Sequence, residues 1–154
     1  VEQTAEVGVF GHGYTYSGHP VACAVALKTM EIYQRDHMFA HAAKMGEYLH
    51  ARLQEFKDHP LVGEVRGKGL LAAIELVANK KTGKAFNCGA VGAFAVHSCQ
   101  GHGLIVRAVA GSSLALCPPL IIDEQQVDEI IEKMRLALDE TLVFVMKKQL
   151  LEAH

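Results

Sequence analysis

An apolar run opens at Pro20 and continues almost unbroken to about Tyr33. Pro20 suits a first helical position, because its missing N–H would have no partner there in any case. The run therefore predicts a helix, and a helix apolar on all faces is expected to be buried. After Asp36, which reads as a helix cap, Met38, Ala42, Met45, Leu49, Leu53 and Phe56 recur at steps of three and four residues and predict a second, amphipathic helix to about Lys57. His59-Pro60 ends it. From Val62 to Val77 glycines at 63, 67 and 69 punctuate a stretch whose later half, LLAAIELV, has the short apolar pattern of a buried strand. NKKTGK then reads as a polar turn.

Small and apolar residues from Ala90 to Gln100 predict a short helix closed by Gly101 and Gly103. Leu104 to Val109 and Leu114 to Cys117 read as two strands joined by a turn at Gly111 and Ser112, and Pro118-Pro119 stops the second. Asp123 followed by Gln126 is a capping-box signature, and Val127, Ile130, Ile131, Met134, Leu138, Thr141, Leu142 and Val145 trace one face of a long last helix. Helices before and after a small group of strands describe an α+β layer, with no complete Rossmann or P-loop unit. Residues 1–18, with Gly8, Gly11, Gly13 and Gly18, belong to no element of that layer and read as a constrained loop.

Composition narrows the function classes. The chain has 154 residues, enough for one domain or a small domain with a piece of another. Half of them are apolar and 21% charged, which supports a folded core rather than disorder. Fifteen Lys and Arg against 17 Asp and Glu give a formal charge of −2 with no basic stripe, so nucleic acid is not an expected partner. The apolar runs fall short of a membrane span, which needs about 20 residues. VEQTAEVGVF lacks the order of a signal peptide, and a cytoplasmic compartment is expected. Cys23, Cys88, Cys99 and Cys117 show no CxxC spacing and read as reduced, buried thiols rather than a disulfide frame or zinc site.

Two places carry candidate chemistry. Gly13-Tyr14-Thr15-Tyr16-Ser17-Gly18-His19-Pro20 combines hydroxyls, flexible backbone and a helix start, a combination that suits a phosphate. The same residues also suit a tight helix entry in which Ser17 or Thr15 serves as cap. Arg107 stands in the apolar strand LIVRAV, and a guanidinium that keeps its proton has to find an anion or reach water. A neighbouring Asp or Glu is one such anion and a substrate carboxylate is another. His12 and His19 lack a third ligand at metal-site spacing, so no metal is expected. The serines lack a GxSxG elbow, and Gly67-Lys68-Gly69 lacks the rest of a phosphate loop and reads as a turn.

Taken together, HGYTYSGHPVACAVAL at 12–27, EVRGKGLLAAIEL at 64–76, GLIVRA at 103–108 and CPPLIID at 117–123 resemble the C-terminal part of class III aminotransferases. These are pyridoxal-phosphate enzymes of fold type I, and the likeness is strongest to the ω-amino acid–pyruvate transaminase group. The resemblance implies that residues 1–35 are the tail of the large cofactor-binding domain, with phosphate loop and interface helix, and that 36–154 form the small C-terminal domain. It implies that Thr15 reaches the cofactor phosphate of the other subunit of a homodimer, that Tyr14 assists through its backbone, and that Arg107 pairs the substrate carboxylate and swings away from substrates without one.

The implied reaction moves an amino group from an ω-amino acid or amine to a keto acid such as pyruvate. The family's Schiff-base lysine, the acid beside the pyridinium nitrogen and the aromatic over the ring all precede this loop, so no catalytic residue is assigned here. The chain is expected to be a piece of a longer protein, inactive by itself and self-associating through exposed apolar surface. A class III aminomutase, or a non-enzymatic small domain that binds an anion or a protein, are the other readings.

Overall fold

A computed structural model describes residues 8, 11–87 and 89–151. The chain divides into two compact units, Val1–His37 and Met38–His154. In the first, a turn over residues 15–18 leads into helix α1 (Pro20–Arg35), with Pro20 in its first turn. No residue of α1 is buried, and Val21 and Val25 are 65% and 61% exposed. This corrects the expectation of burial. An all-apolar pattern states that a helix needs a covering surface, and α1 is the only regular element among this unit's described residues.

Asp36 also departs from expectation. It closes α1 rather than opening the next helix, and its two carboxylate oxygens accept from Nε and Nη2 of Arg35 at 2.6 and 2.7 Å. The bond from Arg35 holds this carboxyl below its ordinary range. A charged guanidinium outbids a backbone N–H for the oxygens, and His37 makes the bend at φ 50°.

The second unit runs α2 (Met38–Leu53), a 3-10 turn (Gln54–Asp58), β1 (Val62–Lys68), β2 (Leu71–Asn79), β3 (Lys84–Ala85), α3 (Ala90–Gly101), β4 (Arg107–Val109), β5 (Ser113–Leu116) and α4 (Glu124–Lys147). The sheet order is β1-β2-β5-β4 with every pair antiparallel, and β3 pairs with β2. β1 went unread as a strand because Gly63 and Gly67 break its pattern. Gly63 sits at a register shift, where a Cβ would meet Val77 Cγ1 at 2.5 Å. Gly69, at φ 55°, makes the expected turn into β2.

Ile74 and Leu76 of β2 and Leu114 and Leu116 of β5 point to one side of the sheet and are buried. Leu49 and Leu53 of α2, Val91, Ala95 and Cys99 of α3, and Val127, Ile131, Met134 and Leu138 of α4 complete that core. Each large side chain removed from water contributes about 1.5–3 kcal/mol. The α4 capping box forms as its spacing predicts: Asp123 Oδ1 accepts from Gln126 N at 2.8 Å, and Gln126 Oε1 accepts from Asp123 N at 3.2 Å. Glu140 on α4 accepts from Ser98 Oγ, and its Oε1 lies 3.0 Å from His102 Nε2, which ties the end of α3 to the long helix.

The cysteines only partly match expectation. Cys99 is buried, and desolvation pushes its thiol up to about 11, whereas Cys23 and Cys117 are exposed. Cys88 lies outside the described residues. Small apolar neighbours in sequence do not bury a residue whose face of the element is open.

Two tests of this packing follow from close contacts. A Cβ at Gly46 of α2 would lie 2.6 Å from the backbone of Gly69, where no side-chain rotation relieves it. Gly46→Ala is therefore expected to cost about 1–2 kcal/mol despite better helix propensity, read as a lower urea midpoint. His59 is largely buried, accepts from Leu61 N through Nδ1 and faces Asp139 at 3.5 Å. Burial lowers its pKa and outweighs the attraction of Asp139. Because the unfolded chain then binds the proton more readily, the stability His59 contributes is complete above its unfolded pKa of about 6.5 and is lost as pH falls towards the folded value. Urea unfolding between pH 7.5 and 5.5 should show a smaller loss in His59→Gln than in the parent chain; equal losses would exclude this source.

Candidate functional site

Candidate chemistry lies in each unit, and each part is described by itself. In the Gly-rich loop the hydroxyl of Ser17 accepts from Tyr14 N at 2.8 Å, while Ser17 N donates to Tyr14 O at 2.9 Å. Ser17 is therefore used to close the turn. His19 is the N-cap of α1 and offers no side-chain cap bond, so neither Ser17 nor Thr15 caps the helix. That removes the capping role from the tight-entry reading.

Both backbone groups of Tyr14 are engaged by Ser17. Thr15 has neither N–H nor hydroxyl paired among the described residues, and it is exposed. Just beyond it, Pro20 has no N–H, and the early N–H groups of α1 have no intrahelical acceptor, as at any helix start. The loop thus presents a hydroxyl, free N–H groups and the positive end of a helix dipole, a set of donors that fits a phosphate. Among the described residues no group of three or more His, Cys, Asp or Glu could hold a metal ion.

In the second unit, the segment entering β4 alternates cleanly. Leu104 and Val106 are buried, while Ile105, 88% exposed, and Arg107 point outward. Arg107 reaches water and makes no ion pair or side-chain hydrogen bond among the described residues. Of the two anions open to it on sequence grounds, the internal Asp or Glu is not taken up.

Register shows what surrounds it. Arg107 lies opposite Ala115, Ala115 opposite Ala73, and Ala73 opposite Arg66. Cross-strand partners share a face, so these four residues form one row on the side of the sheet away from the core. Next to it runs Val109, Ser113, Glu75 and Glu64. Arg66 donates through Nη1 to Glu75 and, at 3.0 Å, to Glu64, and through Nη2 to Ser113 Oγ at 3.3 Å. The bond to Glu75 leads the upward shift of its already high pKa. A groove of about 360 Å³ lies over Arg66, Leu71, Ala73, Ala115 and Cys117.

The sequence reading did not single out Arg66. The signal was present as an alternation, Glu64 and Arg66 two apart and Glu75 across the hairpin, but the glycines of β1 hid the strand that makes the alternation meaningful.

The model of the class III aminotransferase family matches residues 1–138. The chain belongs to the class III aminotransferases. It is 47% identical over 147 residues to a putrescine–pyruvate aminotransferase of Pseudomonas aeruginosa, covering 95% of this chain and 32% of that protein. It is 39% identical over 140 residues to the chloroplastic gamma aminobutyrate transaminase 3 of Solanum lycopersicum, covering 90% and 27%. Among solved structures, an ω-transaminase from Pseudomonas jessenii in complex with PMP aligns with TM-score 0.81 and 46% identity, covering 94% of this chain and 32% of that one. A transaminase with L-ala aligns with TM-score 0.81 and 44% identity, covering 94% and 34%.

The chain thus spans between about a quarter and a third of the length of these relatives. Its α+β fold is that of part of a fold type I transaminase, and class III aminotransferases use pyridoxal phosphate. No helix among the described residues is long and apolar enough to cross a membrane.

Proposed function

We propose that this chain is the C-terminal part of a homodimeric, cytoplasmic, pyridoxal-phosphate-dependent aminotransferase that moves an amino group from an ω-amino acid or amine to a keto acid such as pyruvate. The observation that carries it is Arg107, an exposed guanidinium with no internal anion among the described residues, in a family whose reaction handles amino and keto acids. The 47% identity to a putrescine–pyruvate aminotransferase supports an amine donor and a pyruvate-like acceptor. On this reading residues 1–35 are the tail of the large domain and 36–154 the small domain.

When bound, the cofactor supplies the electron sink for amino transfer. Thr15 then holds its phosphate across the dimer interface through hydroxyl and N–H. Tyr14, expected to contact the phosphate through its backbone, has both backbone groups bonded to Ser17, so its role becomes that of holding the turn that presents Thr15. Arg107 takes the acceptor carboxylate in the fork that matches two oxygens. Because it has no ion-pair partner among the described residues, binding there displaces water. The Schiff-base lysine is not assigned to any residue here, and the 154-residue chain by itself is proposed to be inactive.

The test uses the reading frame that contains this chain. The frame upstream of Val1 should continue into a pyridoxal-lysine segment; a frame that starts here would remove the enzyme reading. In that enzyme, Arg107→Gln should raise KM for pyruvate about 10- to 100-fold, the loss expected for a charged hydrogen-bond pair. KM for a carboxylate-free amine should stay within about twofold of the parent. An unchanged pyruvate KM would overturn the role of Arg107. Thr15→Ala should release cofactor on dialysis faster than the parent, followed by loss of the cofactor's visible absorbance.

A further inference from the structure

We infer that Glu64 and Glu75 mask Arg66 as an anion receptor, so that the open sheet face accepts one carboxylate, on Arg107, and discriminates against dicarboxylates. This rests on the proposed role of Arg107. Two guanidiniums stand on that face, Arg66 from β1 and Arg107 from β4 at opposite ends of the strand order. Arg66 leans across β2 until it meets Ser113 on β5, and Ser113 lies opposite Val109, two residues beyond Arg107. By strand spacing and rise, the head of Arg66 ends about 8 Å from the backbone of Arg107. Between them the floor is Ala73 and Ala115, which present no side chain long enough to intervene.

Two free guanidiniums at that separation would clamp a four- or five-carbon dicarboxylate, each taking one end in a bidentate pair. What prevents it is the arrangement around Arg66. Glu75 and Glu64 both accept from Nη1, and Ser113 accepts from Nη2. Two carboxylates against one guanidinium leave the cluster at −1. An incoming second carboxylate therefore meets like charge and a guanidinium with three of its five N–H groups already engaged, only Nε–H and one Nη2 N–H being left to it.

Both glutamates are solvent-accessible, with side chains 59% and 34% exposed, so their removal leaves no buried charge unpaired. Lys68 shares the face but stands at the hairpin corner, about 16 Å from Arg107 by the same spacing, out of reach of such a ligand. Discrimination would thus arise from an internal competitor for one cation rather than from the shape of a pocket.

The test reads the arginine Nε–H signals of this chain by 15N NMR during titration with propionate or glutarate at fixed ionic strength. Arg66→Lys and Arg107→Lys spectra supply the assignments. In the parent chain both acids should move Arg107, glutarate binding no more than the statistical factor of about two tighter, with Arg66 unmoved. In Glu64→Gln/Glu75→Gln, glutarate should bind about tenfold tighter than propionate and move both arginines. Glu75→Gln alone should fall between, and backbone amide spectra report that each variant keeps the fold.

Tenfold tighter glutarate binding in the parent with Arg66 moving, or no gain in the double variant, overturns the masking. If Arg107 ignores both acids everywhere, the reading of Arg107 fails separately. Masking is then judged on Arg66 alone, which must respond to carboxylate in the double variant and not in the parent.

Discussion

The arrangement rests on a sheet with one dry face. Because side chains alternate along a strand, burying Ile74, Leu76, Leu114 and Leu116 on the helical side sends Ala73, Glu75, Ser113 and Ala115 to the other. A slip of one residue would put the charges into the core and the leucines into water, so the register is held by the whole of that burial. The position of Arg107 follows from the same alternation: Leu104 and Val106 inward, Ile105 and Arg107 outward. Nothing local to the guanidinium places it. Its direction is set by apolar residues on either side that cannot face outward without losing the core.

The helices behind the sheet fix where that strand begins. Leu104 N donates to Cys99 O at 2.8 Å and Gly103 takes φ 74°, so the chain leaves α3 on a defined path into β4. α3 is joined to α4 through Ser98, His102 and Glu140, and α4 is joined to α2 by Tyr48 and Arg52, which both donate to Asp128 at 2.9 Å. These bonds are half-exposed and individually modest. Their effect is directional, in that they set the angle at which the three helices meet the one apolar face. Without a common angle, α3 could not bring Gly92 to Gly111, where a Cβ would lie 2.4 Å from the carbonyl oxygen.

Much of this was legible along the chain, and what was not has physical reasons. The capping box at Asp123 and the three- and four-residue steps of α2 and α4 are local signals, satisfied by neighbours in sequence, and they appear where the spacing puts them. β1 was illegible because its glycines serve close contacts across the hairpin, which the periodicity of the strand itself does not show: Gly63 with Val77, and Gly67 with the backbone of Ala72. Asp36 misled because a side chain that can cap a helix can equally pair with an adjacent Arg35. The apolar pattern of α1 stated a need for cover but not what supplies it. Arg107 was visible as an anomaly. Arg66 was not, since its meaning depends on Glu75 across a hairpin that the pattern did not reveal.

The two arginines show why an unsatisfied group is the more informative one. Arg66 meets its need for anions within the fold, and any anionic ligand that approached it would face the negative charge of two glutamates. Arg107 has the same chemistry on the same row and no such competitor among the described residues, so binding there costs the release of water. The same distinction separates the loop residues Ser17 and Thr15, two hydroxyls two positions apart. Ser17 spends its oxygen on the turn, while Thr15 keeps its hydroxyl and N–H unpaired among the described residues, beside a helix start. A fold that satisfies every polar group internally has nothing left with which to bind, so the candidate site in each unit is marked by donors that the surrounding structure orients but leaves without partners.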